Sequence, residues 1–141
     1  MNNQIYPCLW YDGNAKAAAE FYCSVFKNSK ILDDTPMVVT FELNGNQVMG
    51  LNGGPHFKFS EAVSFVVNCQ DQMEIDYYWE ALTADGGEES MCGWLKDKFG
   101  FSWQIIPAIL PQLISDPGKA KRVMQQVMGM KKLDIEKLKN A

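Results

Sequence analysis

The chain holds one histidine, His56, and four cysteines, Cys8, Cys23, Cys69 and Cys92. Transition-metal or nucleophilic chemistry would have to start from these side chains. An imidazole titrates near neutral pH and can serve as general base or as one metal ligand, with an unperturbed pKa of ~6.5. It needs an orienting partner, and only Asn52, Ser60, Glu61 and Ser64 lie near it in sequence. The plainer role for His56 is a hydrogen bond within its own loop at the rim of a cleft. No two cysteines form a Cys-x-x-Cys pair, so the usual zinc spacings are absent. Each cysteine reads as a small buried apolar group. Glu88 and Glu89 are adjacent carboxylates, but neighbours on a strand point to opposite faces, which suits a solvated edge better than an acid–base couple. Lys96 and Asp97 read as formers of surface ion pairs.

The bulk properties narrow the function classes. A chain of 141 residues is long enough for a sizeable core in one domain. The net charge is −4, with a single arginine, Arg122. A basic stripe able to neutralise phosphates is missing, so no nucleic-acid partner is expected. No apolar run approaches the ~20 residues that span a bilayer, so no membrane partner is expected. The start "MNNQIYPCLW" lacks the basic and apolar segments of a signal peptide, which points to the cytoplasm and to reduced thiols.

Periodicity supplies the elements that must position any site. Ile5–Tyr11 reads as a strand. Ala15, Ala18, Ala19, Tyr22, Val25 and Phe26 then share one helical face, with Asn14 as its cap. Met37, Val39, Phe41 and Leu43 alternate along a strand, and Asn44-Gly45 signals a hairpin into Gln47–Asn52. The second half repeats the order. Ala62–Cys69 is a strand, and Asp71 with Glu74 resembles a helix-opening box. Ile75, Tyr78, Trp79 and Leu82 share a helical face that ends at Gly86-Gly87, and two strands then meet around Phe99-Gly100. This is a weak internal repeat of a βαβββ unit, and two such units can pair into one curved sheet enclosing a cleft. The tail is helical, opened by Asp116-Pro117, with a stripe of Ala120, Val123, Met124, Val127 and Met128 and a last turn capped by Asp134. Packing onto its own domain or a second subunit is the expected use of that stripe.

The blocks "YPCLWYDGNAKAAAEFY", "LNGGPHFKFSEAVSF", "DYYWEAL", "CGWLKDKFGFSWQIIP" and "VMQQVMGMKKLDI" resemble the PhnB-like family. That family is also labelled the 3-demethylubiquinone-9 3-methyltransferase domain, within the vicinal oxygen chelate superfamily of glyoxalases, dioxygenases and bleomycin or fosfomycin resistance proteins. The resemblance implies an α+β fold of two paired βαβββ modules forming a curved mixed sheet, with C-terminal helices, and usually a homodimer. Residues 1–141 then form one domain, with module one at about 1–55, module two at about 60–107 and a helical tail at 108–141. Metal-using members place His or Glu on the first and last strands of each module. The matching positions here are Pro7 and Leu9, Ala62 and Ser64, and Gln104, so no metal is expected.

Methyl transfer finds no support beyond the family label. The glycines of "LNGGPHF" precede a proline and a further strand, not a helix, and the chain lacks room for a doubly wound sheet. No cofactor is expected. Pockets are mostly apolar with a few placed polar groups. The residues expected to bind a ligand are His56, Ser64, Gln104, Trp10, Asn52 and Phe57, with His56 the one candidate for catalysis. The expected function is metal-free binding of a small molecule in a cleft, as a homodimer. The alternative is an enzyme of the superfamily that uses His56, and partner binding through the methionine-rich tail has little behind it.

Overall fold

Alternation along Val38–Leu43 buries Val39, Phe41 and Leu43 and leaves Val38, Thr40 and Glu42 half exposed. The computed structural model, which describes Met1–Ala141, turns such patterns into two four-stranded sheets of one topology. The chain divides into two compact units, Met1–Phe59 and Ser60–Ala141.

The first unit runs β1 (Cys8–Tyr11), α1 (Ala15–Val25), β2 (Lys30–Asp34), β3 (Val38–Leu43) and β4 (Asn46–Asn52), in the spatial order β1-β4-β3-β2. β1 is parallel to β4, and the other pairings are antiparallel. The strand expected over Ile5–Tyr11 starts only at Cys8, and Ile5 is exposed. Asn44 and Gly45 both have positive φ, +49° and +83°, which is the backbone a two-residue hairpin turn requires. α1 buries Ala15, Ala18, Ala19, Tyr22 and Val25 against β2, β3 and β4. Asn14 stands at its cap position without a side-chain hydrogen bond. The orphan N–H of Ala15 is taken instead by Asn52 Oδ1, at 2.9 Å, from the end of β4.

The second unit repeats the plan with β5 (Ser64–Cys69), α2 (Gln72–Thr83), β6 (Glu88–Glu89), β7 (Trp94–Lys96) and β8 (Ser102–Pro107), in the order β5-β8-β7-β6. β5 is parallel to β8. The repeat extends to single bonds. Gly53 N–H donates to Tyr11 O at 3.0 Å, and Ala108 N–H donates to Cys69 O at 2.8 Å, each tying the exit of the last strand to the end of the first. Pro107 occupies the place that Asn52 holds in the first unit and has no amide to lend. α2 is therefore capped locally: Asp71 Oδ1 accepts from Glu74 N–H, and Glu74 Oε2 accepts from Gln70 N–H, both at 2.9 Å. α2 buries Ile75, Trp79 and Leu82, with Tyr78 half buried.

The tail adds α3 (Leu110–Leu113), α4 (Pro117–Met128) and α5 (Ile135–Lys139). Asp116 and Asp134 cap α4 and α5 through their side chains. Val123, Val127, Leu133 and Leu138 form a buried cluster joined by Ile106, Leu110 and Leu113. Of the expected stripe, Val123 and Val127 are buried, whereas Met124 and Met128 are exposed. No helix is long and apolar enough to cross a membrane.

Two expectations about polar groups are corrected. Only Cys69 among the cysteines is buried, while Cys8 is exposed and Cys23 and Cys92 are intermediate. Asp97 is not a surface group; it is 2% exposed, and its carboxylate accepts from Phe99 N–H, Phe101 N–H and Trp103 Nε1–H. The turn between β7 and β8 needs those acceptors, because its backbone donors face inward.

Candidate functional site

Strand alternation gives each sheet one face toward its helix and one face away from it. On the second sheet the open face carries Ser64 and Val66 from β5, Ser102 and Gln104 from β8, and Trp94 and Lys96 from β7. Ser64 lies across from Ser102 and Val66 across from Gln104. On the other side, Lys96 lies across from Ser102 and Trp94 across from Gln104. Leu95, Trp103 and Ile105 alternate with these residues and fill the core.

Ser64 and Gln104, expected as ligand-binding residues, are brought together: Gln104 Nε2 donates to Ser64 Oγ at 2.9 Å. Lys96 Nζ meets Glu61 Oε1 at 2.5 Å. The bond from Lys96 holds the Glu61 carboxyl below its ordinary value, and the same bond raises the lysine. Ser102 is the residue sequence reasoning missed. It is 1% exposed, and its Oγ has no hydrogen-bond partner. The available signal was its place two residues before Gln104, which puts both on one face of a strand.

The other expected residues belong to the first unit. Trp10 Nε1 donates to Gly54 O at 2.8 Å, and its ring meets Phe57 edge-on at 4.8 Å. A Cβ on Gly53 would lie 2.2 Å from the Trp10 ring, and Gly54 has φ +92°. The Gly-Gly pair is thus required by the tryptophan laid over it and by the turn. Phe57 stays 66% exposed. Asn52 is occupied at both ends, since its Oδ1 accepts from Ala15 N–H and its Nδ2 donates to Pro36 O at 3.0 Å. Its expected role as a ligand-binding group gives way to a structural one.

His56 is exposed and makes neither a hydrogen bond nor an ion pair. The hydrogen bond expected within its loop is absent, because Trp10 and the glycines already hold that loop. Without an orienting partner, the imidazole has no fixed tautomer or direction with which to act as a base.

The donor set does not fit a divalent ion. Leu9 faces the core at 4% exposure, so the open face of β1 presents Cys8 and Trp10 rather than Pro7 and Leu9. Met49 and Leu51 lie across from them. Partial burial pushes the Cys8 thiol up even though the residue as a whole is exposed. Ala62 precedes β5, and the Gln104 amide is committed to Ser64. No three His, Cys, Asp or Glu side chains converge anywhere in the chain.

The model of the family described as 3-demethylubiquinone-9 3-methyltransferase matches residues 3–106. A Bacillus cereus structure described as a putative 3-demethylubiquinone-9 3-methyltransferase, PhnB protein, is 31% identical; the match covers 75% of this chain and 100% of that one, with a TM-score of 0.68. A Pseudomonas aeruginosa protein is 20% identical over 75% of this chain and 98% of that one, with a TM-score of 0.63. A fosfomycin resistance protein from Listeria monocytogenes, solved with Mn(II) and sulfate, shares the fold at 13% identity and a TM-score of 0.57, covering 79% and 98%. No curated protein is significantly similar to the chain.

Proposed function

We propose that this chain, which belongs to the 3-demethylubiquinone-9 3-methyltransferase family, binds a small molecule without a metal, as a homodimer. The observation that carries this reading is the bond from Gln104 to Ser64 on the open face of the second sheet. A neutral amide and a hydroxyl stand there beside Val66 and Trp94, and the carboxylates at the edge of this face, Glu61 and Glu88, flank Lys96. A few placed polar groups on an otherwise apolar lining suit recognition of an organic molecule. In the first unit, Trp10 and the exposed Phe57 offer further aromatic surface.

The test is elemental analysis of untagged protein purified without chelator, followed by calorimetry with divalent metals. Sedimentation at several concentrations reports the dimer. Less than stoichiometric metal, no measurable metal affinity, and a melting temperature raised by members of a metabolite panel would support the proposal. The panel includes S-adenosylmethionine and a quinone, the ligands that the family description would call for. Tight stoichiometric metal would overturn the metal-free reading, and turnover of a methyl donor would replace binding with catalysis.

A further inference from the structure

We infer that Ser102 anchors the ligand of this site, that the Gln104 side chain is its movable cover, and that the ligand presents a carboxylate. The inference rests on the binding reading above. Ser102 opens β8, an inner strand of the sheet, with Ser64 beside it on β5 and Lys96 beside it on β7. Its side chain is buried, yet its hydroxyl has no partner. Buried hydroxyls are nearly always satisfied, because one left alone destabilises the fold that contains it.

What covers Ser102 follows from the register. Gln104 is level with Val66, and Ser102 is level with Ser64. Two residues of strand separate these levels by about 6.6 Å. The Gln104 amide nevertheless reaches Ser64 Oγ, so its side chain leans back along the strand to the level of Ser102. One hydrogen bond holds it there, between two side chains that are both half exposed. Swinging Gln104 away breaks that bond and uncovers two hydroxyls on one level, Ser64 and Ser102. The ammonium of Lys96 stands on the far side of Ser102.

Two O–H donors and a cation favour an anionic planar oxygen pair, to which charge-assisted hydrogen bonds are the stronger kind. Two carboxylates oppose it, Glu61, already paired with Lys96, and Glu88, across from Lys96 on β6, so the incoming carboxylate competes with both for the ammonium. The exposed Val66 and half-buried Trp94 supply an apolar bed for the body of the ligand.

The experiment uses the full chain with benzoate and its neutral counterpart benzamide, read by two-dimensional NMR. Benzoate is expected to move the Gln104 side-chain amide together with the Ser64 and Trp94 signals, and benzamide to bind more weakly. Ser102→Ala should melt no lower than the parent and should bind benzoate about tenfold more weakly. Unchanged benzoate affinity in Ser102→Ala, with Ser64 and Trp94 still responding, would overturn this inference and leave the binding reading standing. A lower melting point for Ser102→Ala would show the hydroxyl to be satisfied internally and would also overturn it. Benzamide binding as tightly as benzoate would remove the carboxylate. If neither probe moves Ser64, Trp94 or Gln104, the site on this face fails altogether.

Discussion

Asn52 Oδ1 accepts the backbone N–H of Ala15 at 2.9 Å, so the last residue of β4 caps the first helix of the same unit. Asn52 also donates to Pro36 O, and its own N–H donates to Met37 O at 2.8 Å. One amide thereby ties α1, β4 and the approach to β3. Loss of a helix cap costs about 1 kcal/mol, and the freed carbonyl of Pro36 is exposed enough to find water. Asn52→Ala should therefore destabilise the chain by about 1–2 kcal/mol. Urea melts check the size. Hydrogen exchange should show the loss concentrated at the start of α1, whereas a ligand-binding role would leave that segment untouched.

Trp10 and Gly53 make a second linked pair. Any Cβ at Gly53 would overlap the indole, and the bond from Trp10 to Gly54 O leaves the ring little room to retreat. Gly53→Ala should cost about 1–3 kcal/mol, the range for overpacking. Three residues on, His56→Ala should fall within ~0.5 kcal/mol of the parent, as exposed substitutions do. A large loss at His56 would show that the imidazole holds the loop, and no loss at Gly53 would show that the tryptophan is free to move.

The sequence carried the fold well because its signals were local. Alternation in Val39, Phe41 and Leu43, the Asn44-Gly45 turn and the Asp71–Glu74 box each act within a few residues and formed as expected, whereas Met37, which the alternation also included, lies outside β3 and is exposed. The site was less legible because it depends on register. Whether Leu9 or Trp10 faces outward turns on one residue of strand phase, and a slip of one exchanges the faces. Ser102 is an ordinary strand serine until its parallel partner, Ser64, is known. Asn52 looked like a free amide because its partners lie 37 and 16 residues away in sequence. The short strands β2 and β6 gave no clear pattern, being mostly exposed edges.

Asp97 is a buried carboxylate with a defined set of donors. Oδ1 accepts from Phe99 N–H at 2.9 Å and Phe101 N–H at 3.1 Å, and Oδ2 accepts from Trp103 Nε1–H at 2.9 Å. Removing the carboxylate strands the indole N–H of a tryptophan that is 2% exposed. Each stranded buried donor costs about 1–3 kcal/mol, so Asp97→Ala should lose about 2–4 kcal/mol. Asp97→Asn keeps one acceptor oxygen and should lose less. Chemical denaturation with tryptophan fluorescence checks both, and equal losses in the two variants would mean that packing, not hydrogen bonding, sets the cost.

Cys69 ends β5 in full burial, and its thiol is pushed up to about 12 from an ordinary 9.0, chiefly by burial and further by the carboxylates of Glu74 and Asp71. The folded state therefore keeps this proton over a range where the unfolded chain releases it. Its contribution to stability is whole below the ordinary thiol value and is lost as pH rises toward the folded one. The slope from this single proton is at most about 1.4 kcal/mol per pH unit. Cys69→Ala should flatten the alkaline part of the stability curve, which denaturant melts above and below the ordinary thiol value would reveal. The same burial predicts selective labelling. A thiol reagent at mildly alkaline pH should modify the exposed Cys8 first and reach Cys69 only as the protein unfolds. Labelling of Cys69 as fast as Cys8 would show that β5 opens readily in the folded chain.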